Sequence, residues 1–191
     1  LLHMLRYFAF DRLRGFRAFS WVTGVGLLWL TYVAGVNGFM LPWDRMAQFV
    51  TQASFEWMDW LPGFKGRLIR NFILPEHVSN RLFSLLVFIH IGVSLLLLLV
   101  MWIHVQRVPK AAMQPPRPIT IALSVTLVVL SLAAPVLSQG PAELHSVPLQ
   151  LTFDWFLLTV FPLIQSGAMG MVWALVVGGT VLGVALPWLT L

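Results

Sequence analysis

The chain contains no cysteine, and few of its residues are charged. The absence of cysteine from these 191 residues excludes disulfide bonds, thiolate zinc sites, thiol nucleophiles, covalent C-x-x-C-H haem attachment and bound iron–sulfur clusters. Only 10% of the residues are charged, whereas soluble domains carry about 25%. Because 59% of the residues are hydrophobic, a water-soluble enzyme is excluded and a polytopic membrane protein is predicted.

Long uncharged stretches predict an all-α helical membrane bundle. A helix needs about 20 apolar residues to cross a hydrocarbon layer of about 30 Å. Four stretches have this character: residues 21–41, 82–103, 119–137 and 168–191. Residues 1–10 are apolar but too few to span alone, and residue 1 is Leu rather than Met. We expect four full transmembrane helices, the end of a fifth at the N-terminus, and a chain that begins inside a longer polypeptide.

The loops between these stretches predict the orientation of the bundle. One set of loops holds seven basic residues against one acidic residue, a net charge of +6, and the other set nets −1. The positive-inside rule places the first set in the cytoplasm. The overall charge of +5 is then a topology signal, so a membrane-lipid contact is expected and a nucleic-acid partner is not. The expected location is the inner (cytoplasmic) membrane of a bacterium, or an equivalent energy-transducing membrane.

The longest loop, residues 42–81, mixes many aromatic residues with charges of both signs. Such composition is typical of short helices that lie along the membrane interface on the outer side. His77 in this loop and His145 in the second outer loop are interpreted as solvated surface histidines.

Two histidines share one predicted helix. His90 and His104 are fourteen residues apart, a rotation only about 40° short of four full turns, so they point to nearly the same face about 21 Å apart. Histidine within a membrane span is costly and usually functional. The simpler alternative is a pair of histidines that hydrogen-bond to neighbouring helices. Two histidines on one face at this separation favour two stacked metal or haem sites.

The preceding helix repeats this spacing with glycine. Gly24 and Gly38 are also fourteen residues apart. Glycine allows the close approach of a flat ligand, although it also serves ordinary helix packing. Together with the histidines, the spacing suggests two flat macrocycles, each between a histidine and a glycine notch. Histidine ligation is a standard way to hold haem without cysteine.

Three short segments carry a resemblance to a known family of membrane proteins. Residues 38–44, Gly-Phe-Met-Leu-Pro-Trp-Asp, are similar to the Gly-Tyr-x-Leu-Pro-Trp segment that ends the third helix of the cytochrome b family, the di-haem quinol-oxidising subunit of bc-type complexes. Residues 21–24, Trp-Val-Thr-Gly, match the start of the same helix. Residues 3–6, His-Met-Leu-Arg, resemble the His-x-x-Arg at the end of the second helix.

The resemblance implies two haem b groups. It implies that His3 and His104 ligate the haem on the cytoplasmic side and that Arg6 meets one of its propionates. It implies that His90 ligates the outer haem, whose second ligand would lie about fourteen residues before His3. Gly24 and Gly38 are the glycines expected against the two haems.

The resemblance also implies a quinol-oxidation pocket on the outer side. Residues 153–156, Phe-Asp-Trp-Phe, stand where the family has Pro-Glu-Trp-Tyr. Only the Trp is identical, but Asp154 keeps a carboxylate that could accept a quinol proton as the catalytic group. The expected quinone pocket comprises Trp43, Asp154 and Trp155.

The expected function is that of a haem b-binding electron-transfer subunit within a quinol oxidoreductase of a respiratory or photosynthetic bc-like complex. Residues 1–109 would form the N-terminal haem-binding region, and residues 110–191 the C-terminal region with the quinol-site loop. Expected partners are quinol, iron–sulfur or cytochrome c subunits, and a second copy in a homodimeric complex. Two alternatives stay open: a di-haem anchor that links the quinone pool to a peripheral enzyme without bifurcating electrons, and a haem-free transporter or structural subunit.

Overall fold

The computed structural model describes residues 1–74, 78–107, 115–146, 150–152 and 154–189, so His77 and Phe153 lie outside the described residues. Within these ranges the secondary structure is helical, apart from an isolated bridge between Asp44 and Pro141. The seven α-helices of these ranges are α1 (Leu2–Ala9), α2 (Ala18–Met40), α3 (Arg45–Asp59), α4 (Asn80–Gln106), α5 (Arg117–Ala133), α6 (Phe161–Gln165) and α7 (Met169–Ala185).

The predicted membrane helices are confirmed in part. Within the described residues, three helical segments are long and apolar enough to cross a membrane: Gly15–Met40, Asn80–Gln106 and Met169–Trp188. Helix α5 has 17 residues, about 26 Å of helix, which is shorter than a typical hydrocarbon core. The expected count of four full spans plus a fifth end is therefore not confirmed, although α1 is helical as predicted. The chain is an integral, multi-pass membrane protein.

Helix α2 is the centre of the bundle and packs most extensively against α4. Helix α7 closes the other side of α2 through two indole groups. The Trp21 Nε1–H donates to the carbonyl of Gly183 at 2.7 Å, and the Trp29 Nε1–H donates to the Thr180 hydroxyl at 3.0 Å. In contrast, the side chains of α5 are exposed along its whole length, as expected for a helix that faces lipid.

Helix α3 supplies the amphipathic element predicted for the long outer loop. Its start is capped by Asp44, whose Oδ1 accepts a hydrogen bond from the Ala47 N–H at 2.8 Å. One face buries Met46, Val50 and Ala53 against the end of α2 and against α6. These apolar contacts tie the outer loop to the bundle as a packed unit.

Polar side chains of this region hold the chain that follows α5. The Asp44 Oδ2 accepts hydrogen bonds from the Ser138 hydroxyl (3.2 Å) and the Gln139 N–H (3.1 Å). Gln48 accepts from the Glu143 N–H at 2.8 Å and donates to its carbonyl at 2.9 Å. Residues 138–146, which we name the latch segment, are thereby fixed at the N-terminus of α3.

The Asp44 carboxylate makes the stability of this region depend on pH. Burial raises its pKa, but hydrogen bonds from Ala47, Gln139 and Ser138 outweigh burial and hold the pKa below the usual value. A carboxyl group with a lowered folded-state pKa stabilises the fold above its unfolded pKa of about 3.9, and this contribution is lost as pH falls through the folded pKa. We therefore expect the free energy of unfolding of the Asp44→Ala variant to be about 1–2 kcal/mol lower than that of the wild type at neutral pH.

The measurement is thermal unfolding in detergent as a function of pH, with Asp44→Asn as the matched control. Asparagine is also a good N-cap, so this variant should keep most of the stability at neutral pH, while its stability should change less than that of the wild type as the pH falls below about 4. An Asp44→Ala variant as stable as the wild type at neutral pH would contradict the capping role.

Candidate functional site

The two predicted histidines of α4 lie against the two predicted glycines of α2. A Cβ atom built on Gly24 would lie 3.6 Å from the Cε1 of His104, and a Cβ atom built on Gly38 would lie 3.6 Å from the Cε1 of His90. Both spacings of fourteen residues are therefore matched across one helix pair. Each imidazole edge therefore faces a glycine of α2 across a gap that would admit one added carbon in ordinary van der Waals contact.

The two imidazoles differ in their hydrogen bonding. The Nδ1 of His104 lies 2.8 Å from the hydroxyl of Thr23. The Nδ1 of His90 is buried and has no hydrogen-bond partner among the described residues. One ring is thus fixed by a side chain of α2, whereas the other depends on packing alone in this part of the chain.

A cavity of about 540 Å³ opens beside His104. His3, Tyr7, Gly24 and His104 contribute to its wall, and the ring of His3 lies 4.7 Å from that of Tyr7. The volume is in the range of cavities that hold small organic ligands and cofactors. The structure therefore brings His3 and His104 together at one cavity, which Gly24 also lines.

Three arginines line the same cavity: Arg12, Arg17 and Arg107. The predicted propionate partner, Arg6, is exposed and does not line it. The sequence analysis did not identify Arg107 as a residue of this site. The signal was its position three residues after His104, a spacing that places two helical residues on one face. The cavity can therefore accept carboxylates next to an apolar interior, as an amphiphilic cofactor requires.

A second cavity of about 370 Å³ lies at the other glycine. It is bounded by Gly35, Gly38, Pro42 and Asp44 on one side and by residues 136–139 on the other. The first two residues of the latch segment therefore form part of the wall of a cavity that Gly38 also lines.

The predicted quinone-pocket residues are not among the lining residues of these two cavities. Trp43, Asp154 and Trp155 line neither of them. Trp43 has a left-handed φ of 50° and packs edge-on against Phe83, with ring centroids 5.0 Å apart. Trp155 is 80% exposed.

The Asp154 carboxylate binds its own backbone. Its Oδ1 accepts hydrogen bonds from the N–H groups of Phe156 (3.0 Å) and Leu157 (2.5 Å). Phe156 lines the cavity of His3 and His104, and Leu157 packs against Gly35 of α2. Phe156 and Leu157 therefore lie near α2 between the levels of its two histidine-facing glycines, and the Asp154 carboxylate stabilises the turn that holds them.

The donor set suits a macrocyclic iron complex better than a bare metal ion. A bare ion requires three or four protein ligands, and the described residues contain no group of three or more His, Asp or Glu side chains that could supply them. A haem brings four nitrogen ligands of its own and needs one or two from the protein. Histidines that face a glycine notch, a cavity and three guanidinium groups fit this requirement.

Comparisons with known proteins agree with this chemistry. A family model described as cytochrome b (N-terminal)/b6/petB matches residues 1–149. A cytochrome b subunit of a cytochrome bc complex from Chlorobaculum thiosulfatiphilum is 34% identical over 102 residues, 51% of this chain and 23% of the relative. Cytochrome b6 from Heterocapsa triquetra is 31% identical over 109 residues, 52% of this chain and 49% of the relative.

A further cytochrome b6, from Gracilaria tenuistipitata var. liui, is 27% identical over 120 residues, 61% of this chain and 54% of the relative. The chain thus spans between about a quarter and about half of the length of these relatives. No solved structure matches it. Because the family match covers 149 of the 191 residues, the chain belongs to the cytochrome b N-terminal/b6/petB family.

Proposed function

We propose that this chain is a cytochrome b subunit that binds two haem b groups and carries electrons from quinol across the membrane within a bc-like complex. The observation that supports this best is the repeated pairing of a histidine of α4 with a glycine of α2, on which a built Cβ would lie 3.6 Å from the imidazole in both cases. Repetition after fourteen residues separates the two sites by about 21 Å along α4. Two equivalent sites at that separation suit a relay between the two sides of a membrane.

Each haem site draws on different residues. His3 and His104 are the ligands for one haem, and Arg12, Arg17 and Arg107 would neutralise its propionates in the cavity that they line. His90, next to Gly38, supplies a ligand for the other haem. Bound haem supplies an iron that accepts and releases one electron at a time. The protein fixes the position of each haem and sets its potential through ligands, burial and charge.

Quinol oxidation requires a proton acceptor and a route for a second electron. Of the two protons that quinol releases, we assign one to the Asp154 carboxylate, because the backbone N–H groups that it binds belong to Phe156, at the first cavity, and Leu157, at Gly35 of α2; the other proton would pass to solvent. The chain has no cysteine to hold an iron–sulfur cluster, so a partner subunit would receive the second electron. The partners that we propose are an iron–sulfur subunit, a cytochrome c subunit and a second copy of the chain in a homodimeric complex.

The experiment is reduction of the intact complex, in its native membrane, by dithionite and by quinol. We expect two haem b groups per chain in the dithionite spectrum and reduction of both by quinol. In the Asp154→Asn variant the dithionite spectrum should be unchanged, because the amide oxygen can still accept the bonds from Phe156 and Leu157. Its rate of reduction by quinol should fall about a hundredfold or more, because the general base is lost.

Two results would contradict the proposal in different ways. The absence of a reduced haem b band from the wild type would exclude haem binding and favour a transporter or structural subunit. An Asp154→Asn variant that quinol reduces at the wild-type rate would exclude Asp154 as the proton acceptor. That second result favours the di-haem anchor, an alternative consistent with the fact that Asp154 lines neither described cavity.

A further inference from the structure

The hydroxyl group of Thr23 has two kinds of hydrogen-bond partner. Its oxygen lies 3.0 Å from the carbonyl oxygen of Phe19 and 3.1 Å from that of Ser20, both in the preceding turn of the chain. It also lies 2.8 Å from the Nδ1 of His104 on the opposite helix. A hydroxyl has one proton to donate and two lone pairs that accept. Carbonyl oxygens only accept, so the Thr23 proton points to its own backbone and its oxygen is free to accept from His104.

This arrangement determines which nitrogen of His104 carries the proton. If the Thr23 oxygen accepts, the Nδ1 of His104 must be the donor and therefore carries the hydrogen. The lone pair of a neutral imidazole then lies on Nε2. That is the nitrogen available to a metal, and hydrogen bonding at the other nitrogen is what commonly fixes the orientation of such a ligand.

We propose that Thr23 is a positioning residue for His104: it fixes the tautomer and the ring plane that present Nε2 to the cavity, and it lowers the reduction potential of the haem held there. The inference rests on the proposed function, since it assumes that His104 is an axial ligand. The lower potential follows because an N–H donated to an acceptor makes the imidazole more basic, and a more basic ligand favours the ferric state.

The contrast with His90 makes the effect specific to one site. The Nδ1 of His90 is buried without a hydrogen-bond partner among the residues that the structure describes. Both rings face a glycine in the same way, since a Cβ built on that glycine would lie 3.6 Å from the Cε1 of the ring in each case. The two ligands therefore differ in the side chain that meets Nδ1 rather than in their approach to α2. Removal of the Thr23 hydroxyl should change one haem and leave the other unaltered.

The test compares Thr23→Val with Thr23→Ser in the intact membrane complex, with redox titration of both haems and electron paramagnetic resonance of their ferric forms. Valine keeps the shape of threonine but cannot accept a hydrogen bond. We expect the haem of His104 to bind about 10–100-fold more weakly. For each tenfold loss of preference for the ferric state, its potential should rise by about 59 mV. Serine keeps the hydroxyl and should restore the wild-type potential and spectrum.

The matched control is Thr180→Val in α7. The Thr180 hydroxyl also donates to a carbonyl of its own helix, that of Val176, while it accepts from a ring N–H, that of Trp29. The same substitution there removes an equivalent acceptor without touching a histidine, so both haem potentials should stay at the wild-type values.

The outcomes separate this inference from the proposed function. A wild type without haem b contradicts the proposed function itself. A wild type with both haems, together with a Thr23→Val variant of unchanged potential and spectrum, overturns the role of Thr23 alone. Loss of the His104 haem from both Thr23→Val and Thr23→Ser would also overturn it, because packing rather than the hydroxyl would then be the cause.

Discussion

Replacement of His104 by alanine should abolish one haem b and leave the other in place. In the native membrane, we expect the His104→Ala variant to lose about half of the dithionite-reduced haem b absorbance, because one of the two proposed haem sites loses a ligand. The haem that depends on His90 should keep its spectrum and potential, since the two sites are about 21 Å apart along α4. Electron flow from one side of the membrane to the other should stop.

His90→Ala is the complementary variant, which should remove the other haem and spare the one at His104. His145→Ala is the matched control, because His145 is an exposed histidine of the latch segment that lines neither described cavity. It should leave both haems at full content. Wild-type haem content in His104→Ala would refute the ligand assignment, and equal loss of both haems in each variant would indicate general misfolding rather than loss of a ligand.

Valine in place of Gly38 should weaken the binding of the haem at His90, and valine in place of Gly24 should weaken the binding of the haem at His104. The first added carbon alone would lie 3.6 Å from the imidazole edge, an ordinary contact, so the ring itself can stay where it is. The two further methyl groups of valine have to occupy the space in which a flat macrocycle would lie between the helices. Overpacking of this kind costs about 1–3 kcal/mol, which corresponds to roughly tenfold to hundredfold weaker haem binding.

The matched control is Gly26→Val on the same helix. No atom lies within 4 Å of a Cβ built on Gly26, which is two residues from Gly24 and so points to a different face. This variant should keep both haems. It controls for the general effect of replacing a glycine of α2 by the stiffer valine. If Gly24→Val and Gly38→Val keep both haems at wild-type affinity, then neither glycine provides a haem notch and their role is confined to helix packing.

Helix positions could be predicted because charge is excluded from the membrane, but one boundary could not. The uncharged stretch 119–137 predicts a full span, whereas α5 ends at Ala133. Ala134 has φ −137° and ψ 68°, outside the helical region, and it precedes Pro135. Proline disfavours the helical conformation of the residue before it. The absence of charge was the wrong criterion for this end, and the proline was the informative signal.

Pairs on regular helices could likewise be predicted from periodicity, whereas contacts between irregular segments could not. The fourteen-residue spacings of His90–His104 and Gly24–Gly38 define faces, so the meeting of those faces follows once α2 and α4 pack. Thr23 gave no signal, since a hydroxyl within a helix usually bonds to its own backbone. The latch segment gave none either, because Gln48 and Glu143 are 95 residues apart and no local pattern relates them.

The indole contacts between α2 and α7 have a consequence for how the chain is made. The Trp21 donor and the Gly183 acceptor are 162 residues apart in the sequence. At a synthesis rate of about 5–20 residues per second, the acceptor follows the donor by roughly 8–32 s. During that interval α2 is already present while its indole N–H groups lack their final acceptors. The bundle can therefore complete its α2 interface only after α7 has been translated, which makes this a late contact of biogenesis and a natural point for chaperone or lipid protection.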